Sequence, residues 1–599
     1  MKAKWKTFLK TWKSTSFMFG YVWKYGKSYV FGKVVYAVLA ALLNLPGILL
    51  PGLIINELTG TRDYRILLAE VLLLLFVPFF GGFIKSILGN EIAKLGRRVG
   101  LQIRLQYFDR LNDIRLERFD DPDFWDVTDH NYDLVYDITN VVDQISELFT
   151  NILSILAITS IILTLSPVTV IIALFCIWLN SLVTRRINIK QYKAEKEMVT
   201  YERVIDGTTK PFNPGYIKEI RMFHLKDYLI QRYQKAKRDE NAVRIRLEKQ
   251  QGNAGILIAL TDAAYQVYLY GYLIWRVLFT GLPVGSMTIY MNAANQFSSA
   301  LTGVVNAYLS LANNELVVDD VKVFQDTPTA IEESGNLIPR FDQDSVIEFR
   351  NVSFRYPGSD GWALKNINLT LRGTEKLCVV GENGAGKTTF LKLLTRFYRP
   401  TEGEICFNGV NVEEFDYNAW LSCFSAVWQE IDFFPSSTLG ENIVLNLPYD
   451  SEKLHEIGRQ SDIDELVKKL PKGYDTPMFK RNSDDGIEPS GGETQKIAIA
   501  RACYHGGDIF ILDEPTAALD PLAENRMFGQ FESMIRDKPA VLITHRLSAV
   551  KLADRVAVFQ NGAVIEYGTH EEVYRMGGVY AEMYDKQAEF YVSNEAREI

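Results

Sequence analysis

The run Gly381-Glu382-Asn383-Gly384-Ala385-Gly386-Lys387-Thr388 constrains this chain more than any other feature. Its glycines let the backbone curl until successive N–H groups converge on one point. Apolar Lys376–Val380 before it reads as a buried strand, and Thr389–Leu394 after it reads as a helix. Strand, Gly-rich loop and helix in that order call for an α/β sheet with the loop at its carboxyl edge. Converging N–H groups and a helix N-terminus favour phosphate. Lys387 is expected to reach the β- and γ-phosphates and Thr388 to ligate Mg²⁺. ATP or GTP with Mg²⁺ is therefore the expected cofactor set.

Further along, Asp508–Glu514 joins an apolar strand to two acids at its carboxyl end. Asp513 is placed to hold Mg²⁺ through water, and Glu514 to polarise an attacking water as general base. Between these motifs lies Pro489-Ser490-Gly491-Gly492-Glu493, followed by helical Lys496–Arg501. The set resembles the ATP-binding cassette (ABC) family, and the resemblance implies ATP as the nucleotide. It implies roles for other residues too. Tyr356 is similar to the aromatic that stacks on adenine, with Gly381–Thr389 holding the phosphates. Gln429 resembles the glutamine that joins Mg²⁺ and the attacking water to the membrane domain. Ala517–Asp520 resembles the loop that crosses a dimer interface, and His545 the switch histidine at the γ-phosphate. Ser490, Gly491 and Gly492 resemble the signature that caps the γ-phosphate of an opposing subunit. Two departures stand out: the signature begins with Pro489 rather than Leu and ends in Glu493 rather than Gln. They leave two readings, a tolerated variant or a slower, asymmetric ATP site.

At 599 residues the chain exceeds one core, so two large domains are expected. Hydrophobic residues make up 47% of it, yet mean hydropathy is only -0.03, as when an apolar half is averaged with a polar one. A net charge of -8 argues against a nucleic-acid partner. The five cysteines lack ligand spacing, so neither a disulfide framework nor a metal site is expected.

Six segments are long enough to span a bilayer, near 29–57, 65–88, 142–165, 168–190, 254–278 and 284–312. Before them Trp5, Phe8, Trp12, Phe17, Tyr21 and Trp23 interleave with lysines, as in a helix lying in the membrane interface. Short turns alternate with long, basic connections at 89–141 and 191–253. The positive-inside rule then puts the long connections and both termini in the cytosol, at the cytoplasmic membrane. The expected fold is multi-domain: an all-α polytopic membrane domain with long cytosolic extensions, then an α/β P-loop ATPase. Its expected parts are an interfacial helix (1–28), a membrane domain (29–320), a linker (321–345), an ATPase domain (346–585) and a tail (586–599).

That layout resembles an ABC exporter half-transporter. The resemblance implies a second half-transporter as partner, a homodimer being favoured over a heterodimer, since one cassette does not complete its own site. It also implies short cytosolic segments that dock on the ATPase, near Arg115–Phe124 and Thr209–Tyr216. No peptidase domain is expected ahead of the membrane half.

Independently of any family, Asn292, Gln296, Ser299, Gly303, Asn306, Ser310 and Asn313 follow one helix face in the last span. A polar stripe is unfavourable against lipid, so it is expected to line a substrate path or to join helices. Thr261, Tyr265, Tyr268 and Tyr272 form a similar row in the fifth span, beside Asp262. Asp262 and Glu70 at membrane depth lean toward a cationic or amphipathic cargo, unless Arg276 or Lys85 neutralises one of them. The expected function is ATP-driven export of an amphipathic substrate by alternating access, a peptide being favoured over a lipid or hydrophobic drug. The alternatives are an ATP-dependent lipid flippase and an ATP-gated regulator.

Overall fold

The computed structural model describes residues 2–60, 62–121, 124–125, 127–128, 131–132, 138–165, 167–313, 315–446, 448–480, 483–515, 528–529, 531–532, 535, 538–544 and 550–586. Two compact units emerge, one of residues 1–108 and 130–322, the other of residues 109–129 and 323–599.

The first unit is helical. Helix α1 (Lys2–Tyr25) buries Thr11, Ser14, Thr15, Met18 and Val22 along one face and exposes Trp12 and Trp23 on the other. Five long helices follow: α2 (Lys27–Thr59), α3 (Tyr64–Asp113), α4 (Asn140–Leu165), α5 (Pro167–Thr209) and α6 (Lys226–Thr280). Helix α7 (Val284–Asn313) closes the set. At 50 and 55 residues, α3 and α6 run to roughly 75 and 80 Å, against a hydrocarbon core of roughly 30 Å. The excess length makes the extensions beyond the membrane.

By length and composition, α2, α3, α4 and α5 are apolar enough to cross a membrane. The fifth and sixth expected spans are present as α6 and α7 but fall short of that measure, because tyrosines, asparagines and serines interrupt their apolar runs. Packing pairs α5 with α6 and α4 with α7, while α2 runs against both α4 and α7. Where α2 meets α7, a Cβ on Gly52 would strike Ile289 and the carbonyl of Gly285, and one on Gly285 would strike the carbonyl of Gly52. Only glycine permits that approach.

The second unit carries two sheets. Strands β1 (Val346–Phe354), β2 (Leu364–Arg372), β4 (Glu402–Phe407) and β5 (Val410–Asn411) form an antiparallel sheet in the order β2-β1-β4-β5. The larger sheet has the order β10-β9-β3-β8-β7-β6. Its members are β3 (Lys376–Gly381), β6 (Phe424–Val427), β7 (Ile509–Asp513), β8 (Ala540–Ile543), β9 (Arg555–Gln560) and β10 (Ala563–Gly568). All its pairings are parallel except β9 with β10. Every residue of β7 and β8 is buried, as expected of parallel strands covered on both faces. Helix α8 (Lys387–Leu394) drives Phe390, Leu391, Leu393 and Leu394 into the core shared with the antiparallel sheet.

Residues 109–129 and 323–345 belong to this second unit. The 321–345 stretch, expected as a linker, is tied down: Ala330 donates its N–H to the carbonyl of Asp113, and Gly335 to that of Glu413. A 3₁₀ turn at Leu116–Asp120 lies within the expected docking segment. Arg115, only 2% exposed, donates to Glu413 at 2.9 Å and to Glu333 at 3.2 Å. Arg396 and Arg399 also reach Glu413, at 3.3 and 3.0 Å. Burial alone would raise the Glu413 carboxyl, but the three guanidinium groups outweigh it and hold the group below the usual carboxylate range. Nearby, the Tyr398 hydroxyl donates to Asp120, and the Arg399 N–H to Glu117 at 3.2 Å.

Candidate functional site

Strand β3 ends at Gly381 in the middle of the sheet, and the chain turns there into the phosphate loop. Gly381, Gly384 and Gly386 take φ of 152°, 81° and 103°, in the region that favours glycine. A Cβ on Gly381 would strike the carbonyl of Phe559, and one on Gly386 the side chain of Leu364. Three glycines are thus needed for backbone shape, two of them also for space. Lys387 opens α8, and its ammonium donates to the carbonyls of Gly381 at 2.9 Å and Glu382 at 3.0 Å. Burial lowers its pKa, while the nearby Glu514 and Asp513 carboxylates pull the other way.

Those carboxylates arrive on β7, two strands away from β3 across β8. The ladder continues past the strand: the Glu514 N–H donates to the Ile543 carbonyl at 2.9 Å, and the Thr544 N–H to the Val379 carbonyl at 3.3 Å. Asp513 is 2% exposed, and burial first, then the Glu514 charge, push its carboxyl up to about 6. The Thr388 hydroxyl bonds this carboxyl, yet Asp513 Oδ1 is buried without a hydrogen-bond partner. A buried carboxylate oxygen left over beside a threonine hydroxyl suits a hard divalent cation. Glu514 sits at φ 49°, a strained backbone position for a non-glycine residue, and its Oε2 accepts from Gln429 Nε2 at 3.4 Å. Tyr356, just after β1, lies half-buried with its hydroxyl 2.9 Å from Thr389 Oγ1. Asp520 and His545 lie outside the described residues.

The Ser490-Gly491-Gly492 element sits elsewhere, at the start of helix α9 (Gly491–His505). This helix packs through Ile497 and Ala500 against Leu439, Ile443 and Leu454, and through Ala498, Ile499 and Ala502 against Val427 of β6 and Phe510 and Leu512 of β7. Among the described residues, Ser490–Gly492 make no hydrogen bond to the phosphate loop. Glu493 has a structural task here. Its carboxylate accepts from the Ser490 N–H and hydroxyl, both at 2.8 Å, and Ser490 Oγ accepts from the Glu493 N–H, closing a capping box.

A profile of the ABC transporter family matches residues 364–517, which hold the phosphate loop, the signature and both acids. The subtilin transport ATP-binding protein SpaT of Bacillus subtilis is 27% identical over 571 residues, 92% of this chain and 90% of that protein. Residues 364–517 thus carry an ABC-transporter domain, and the chain as a whole resembles ABC exporters. The chain is also 31% identical over 308 residues to the ATP-dependent lipid A-core flippase of Escherichia coli K12, a match spanning 51% of this chain and 52% of that protein. A bacterial Atm1-family ABC exporter solved with ATP bound shares its fold, with a TM-score of 0.75 at 22% identity over 94% of this chain and 98% of that one. An integral membrane half joined to an ATPase cassette accounts for both units.

Within the membrane half, the expected path residues divide. Asp262 and Tyr265 on α6 line a cavity of about 460 Å³ with Ser299 and Asn306 on α7. Gln266 and Asn295 join them, whereas Asn292 and Gln296 are not among its walls. Gly303 also lines it, and a Cβ there would strike the Asn151 side chain of α4, so one part of the stripe also serves helix contact. Asn295, Ser299, Thr302 and Asn306 keep a four-three-four spacing, and Gln266 lies one turn after Asp262. Those spacings were the signal for the wall residues that sequence reasoning did not single out. Asp262 Oδ1 accepts from Asn180 Nδ2 of α5 at 3.0 Å. Lys85 instead lies over the Tyr36 ring, 5.3 Å from its centroid.

Proposed function

We propose that this transporter hydrolyses ATP to export an amphipathic substrate, a peptide in the favoured reading, across the cytoplasmic membrane by alternating access. The observation that carries the reading is the convergence of Lys387, Thr388, Asp513, Glu514 and Gln429 at one edge of a parallel sheet, while Ser490–Gly492, among the described residues, make no hydrogen bond to the phosphate loop. A site divided in this way calls for a second copy to bring its signature over the phosphate loop. Similarity to SpaT over most of both chains supports subtilin-like peptide cargo. A lipid flippase is the second reading, favoured by the flippase matches, which span about half of those proteins.

In this mechanism Gly381–Thr389 grip the phosphates through backbone N–H groups, and Lys387 turns its ammonium from the loop carbonyls to the β- and γ-phosphates. Thr388, Asp513 and Gln429 are the groups to hold Mg²⁺, which when bound neutralises phosphate charge. Tyr356 supplies a ring for the adenine. Glu514, oriented by Gln429, takes the proton of the attacking water. Asp520 and His545 would serve the partner interface and the γ-phosphate. Exposed Phe212, Tyr216, Met222 and Phe223 between α5 and α6 provide an apolar surface for docking on an ATPase. Orientation with both termini cytosolic follows from the basic long connections.

The decisive experiment is Mg-ATP hydrolysis by the chain alone, reconstituted in lipid, beside Glu514→Gln. Turnover is expected to fall by about 10²- to 10⁴-fold in the variant while ATP binding persists. Retained turnover would remove Glu514 from the base role.

A further inference from the structure

The cavity between α6 and α7 is polar, yet among the described residues the carboxyl in its wall, Asp262, forms no ion pair. Asp262 gives a single oxygen to the neutral amide of Asn180, and no Lys, Arg or His pairs with it among the described residues. The nearest cations along α6, Lys249 and Arg276, stand thirteen residues before Asp262 and fourteen after, each roughly 20 Å of helix rise away. Beside the acid, Tyr265 is 5% exposed and its hydroxyl is buried without a hydrogen-bond partner. Its neighbours in the same wall, Gln266, Asn295 and Asn306, add carboxamide oxygens, and no wall residue is basic.

An uncompensated carboxylate and an orphaned hydroxyl at membrane depth are both unfavourable unless something satisfies them. We infer that this cavity is the recognition subsite for a primary ammonium group of the cargo, bound by Asp262 with Tyr265 and a carboxamide of α7. An ammonium donates three hydrogen bonds and accepts none. Asp262 Oδ2, the Tyr265 hydroxyl oxygen and an Asn306 or Asn295 oxygen are three acceptors of the right kind. An anionic or a neutral apolar group would leave the acid uncompensated. The volume of about 460 Å³ holds a side chain or head group rather than a whole peptide or lipid, so it selects one charged end and leaves the apolar body to the helices around it. The inference rests on the export reading for the cargo's path, but it makes its own claim about charge.

The test is equilibrium binding without ATP, on the full-length protein in lipid nanodiscs. The probes are dansylcadaverine, which carries a primary amine, and its N-acetylated derivative. Wild type is expected to bind the amine about tenfold more tightly or better. Asp262→Asn should erase that preference, Asp262→Glu should keep most of it, and Tyr265→Phe should weaken amine binding a few-fold. Equal affinity for the two probes in wild type, or a preference that survives in Asp262→Asn, overturns the proposal. So does a loss of the dimer in Asp262→Asn by native mass measurement, which would assign the polar row to a subunit contact. Asp262→Glu covers the case in which the Asn variant folds poorly. Since nothing here depends on hydrolysis, failure of this test is distinct from failure of the Glu514→Gln test.

Discussion

The ATPase unit and the membrane unit both bury polar atoms without partners, but for opposite structural reasons. In the ATPase unit, Asp513 Oδ1 is held by the end of a fully buried parallel strand, so the backbone ladder sets its position. In the membrane unit, Tyr265 Oη and Glu70 Oε2 are placed by helix faces, with no ladder to fix them. The first kind of site is rigid and announced by a short motif. The second depends on which faces of separate helices come together, so its composition is spread thinly along the chain. Precise phosphate chemistry needs the former, whereas a cargo site gains latitude from the latter.

The largest effect that would test this contrast lies in the ionic cluster around Glu413. Arg115→Ala removes one of three guanidinium groups from a partly buried carboxylate and leaves Glu333 with one partner fewer. Breaking a buried pair costs about 3 kcal/mol, and thermal melting of the variant should show a loss of that order at pH 7. The folded Glu413 pKa is depressed, so the folded state binds fewer protons than the unfolded one. Its contribution is full above the ordinary value of 4.5 and disappears as pH falls through the lowered folded value. The gap between wild type and Arg115→Ala should therefore narrow below about pH 4.5. A gap independent of pH would mean that Arg115 acts by packing alone.

A smaller effect separates the two halves of the polar stripe in α7. Asn306→Leu removes a cavity wall group and should change dansylcadaverine affinity a few-fold, whereas Asn292→Leu should leave it unaltered. Equal effects from both would mean that the helices of the membrane unit rearrange as freely as a loop, and the comparison with the strand-held site would sharpen further. Equal silence would return the whole stripe to helix contact, the role that Gly303 already shares through Asn151.

The same contrast explains what could be read from the residues alone. The glycine loop, both acids and the Ser490–Gly492 turn could be placed from the sequence because each sets particular residue types at fixed offsets from a strand or helix end, and β3, β7 and α9 lie there. The six long helices were legible by length, although tyrosines and asparagines make α6 and α7 less apolar than a plain span. The clamp of Arg115, Arg396 and Arg399 on Glu413 was not legible, since Arg115 lies nearly 300 residues before the other three and nothing local ties it to them. Nor was the split of the α7 stripe. A 3.6-residue repeat says which residues share a face, but not which neighbouring helix that face meets.

The smallest expected effect concerns Glu493, where the sequence left open a tolerated variant or a slowed ATP site. In the structure the carboxylate is turned back on Ser490, accepting its N–H and hydroxyl within the capping box. A glutamine closes the same box with its carbonyl oxygen. Glu493→Gln should therefore alter ATP turnover by less than about threefold and stability by less than about 1 kcal/mol. A much faster Glu493→Gln enzyme would mean that the carboxylate leaves Ser490 and faces phosphate during the cycle. The helix N-terminus would then be a moving part, and the rigidity ascribed to the ATPase unit would end at its sheet.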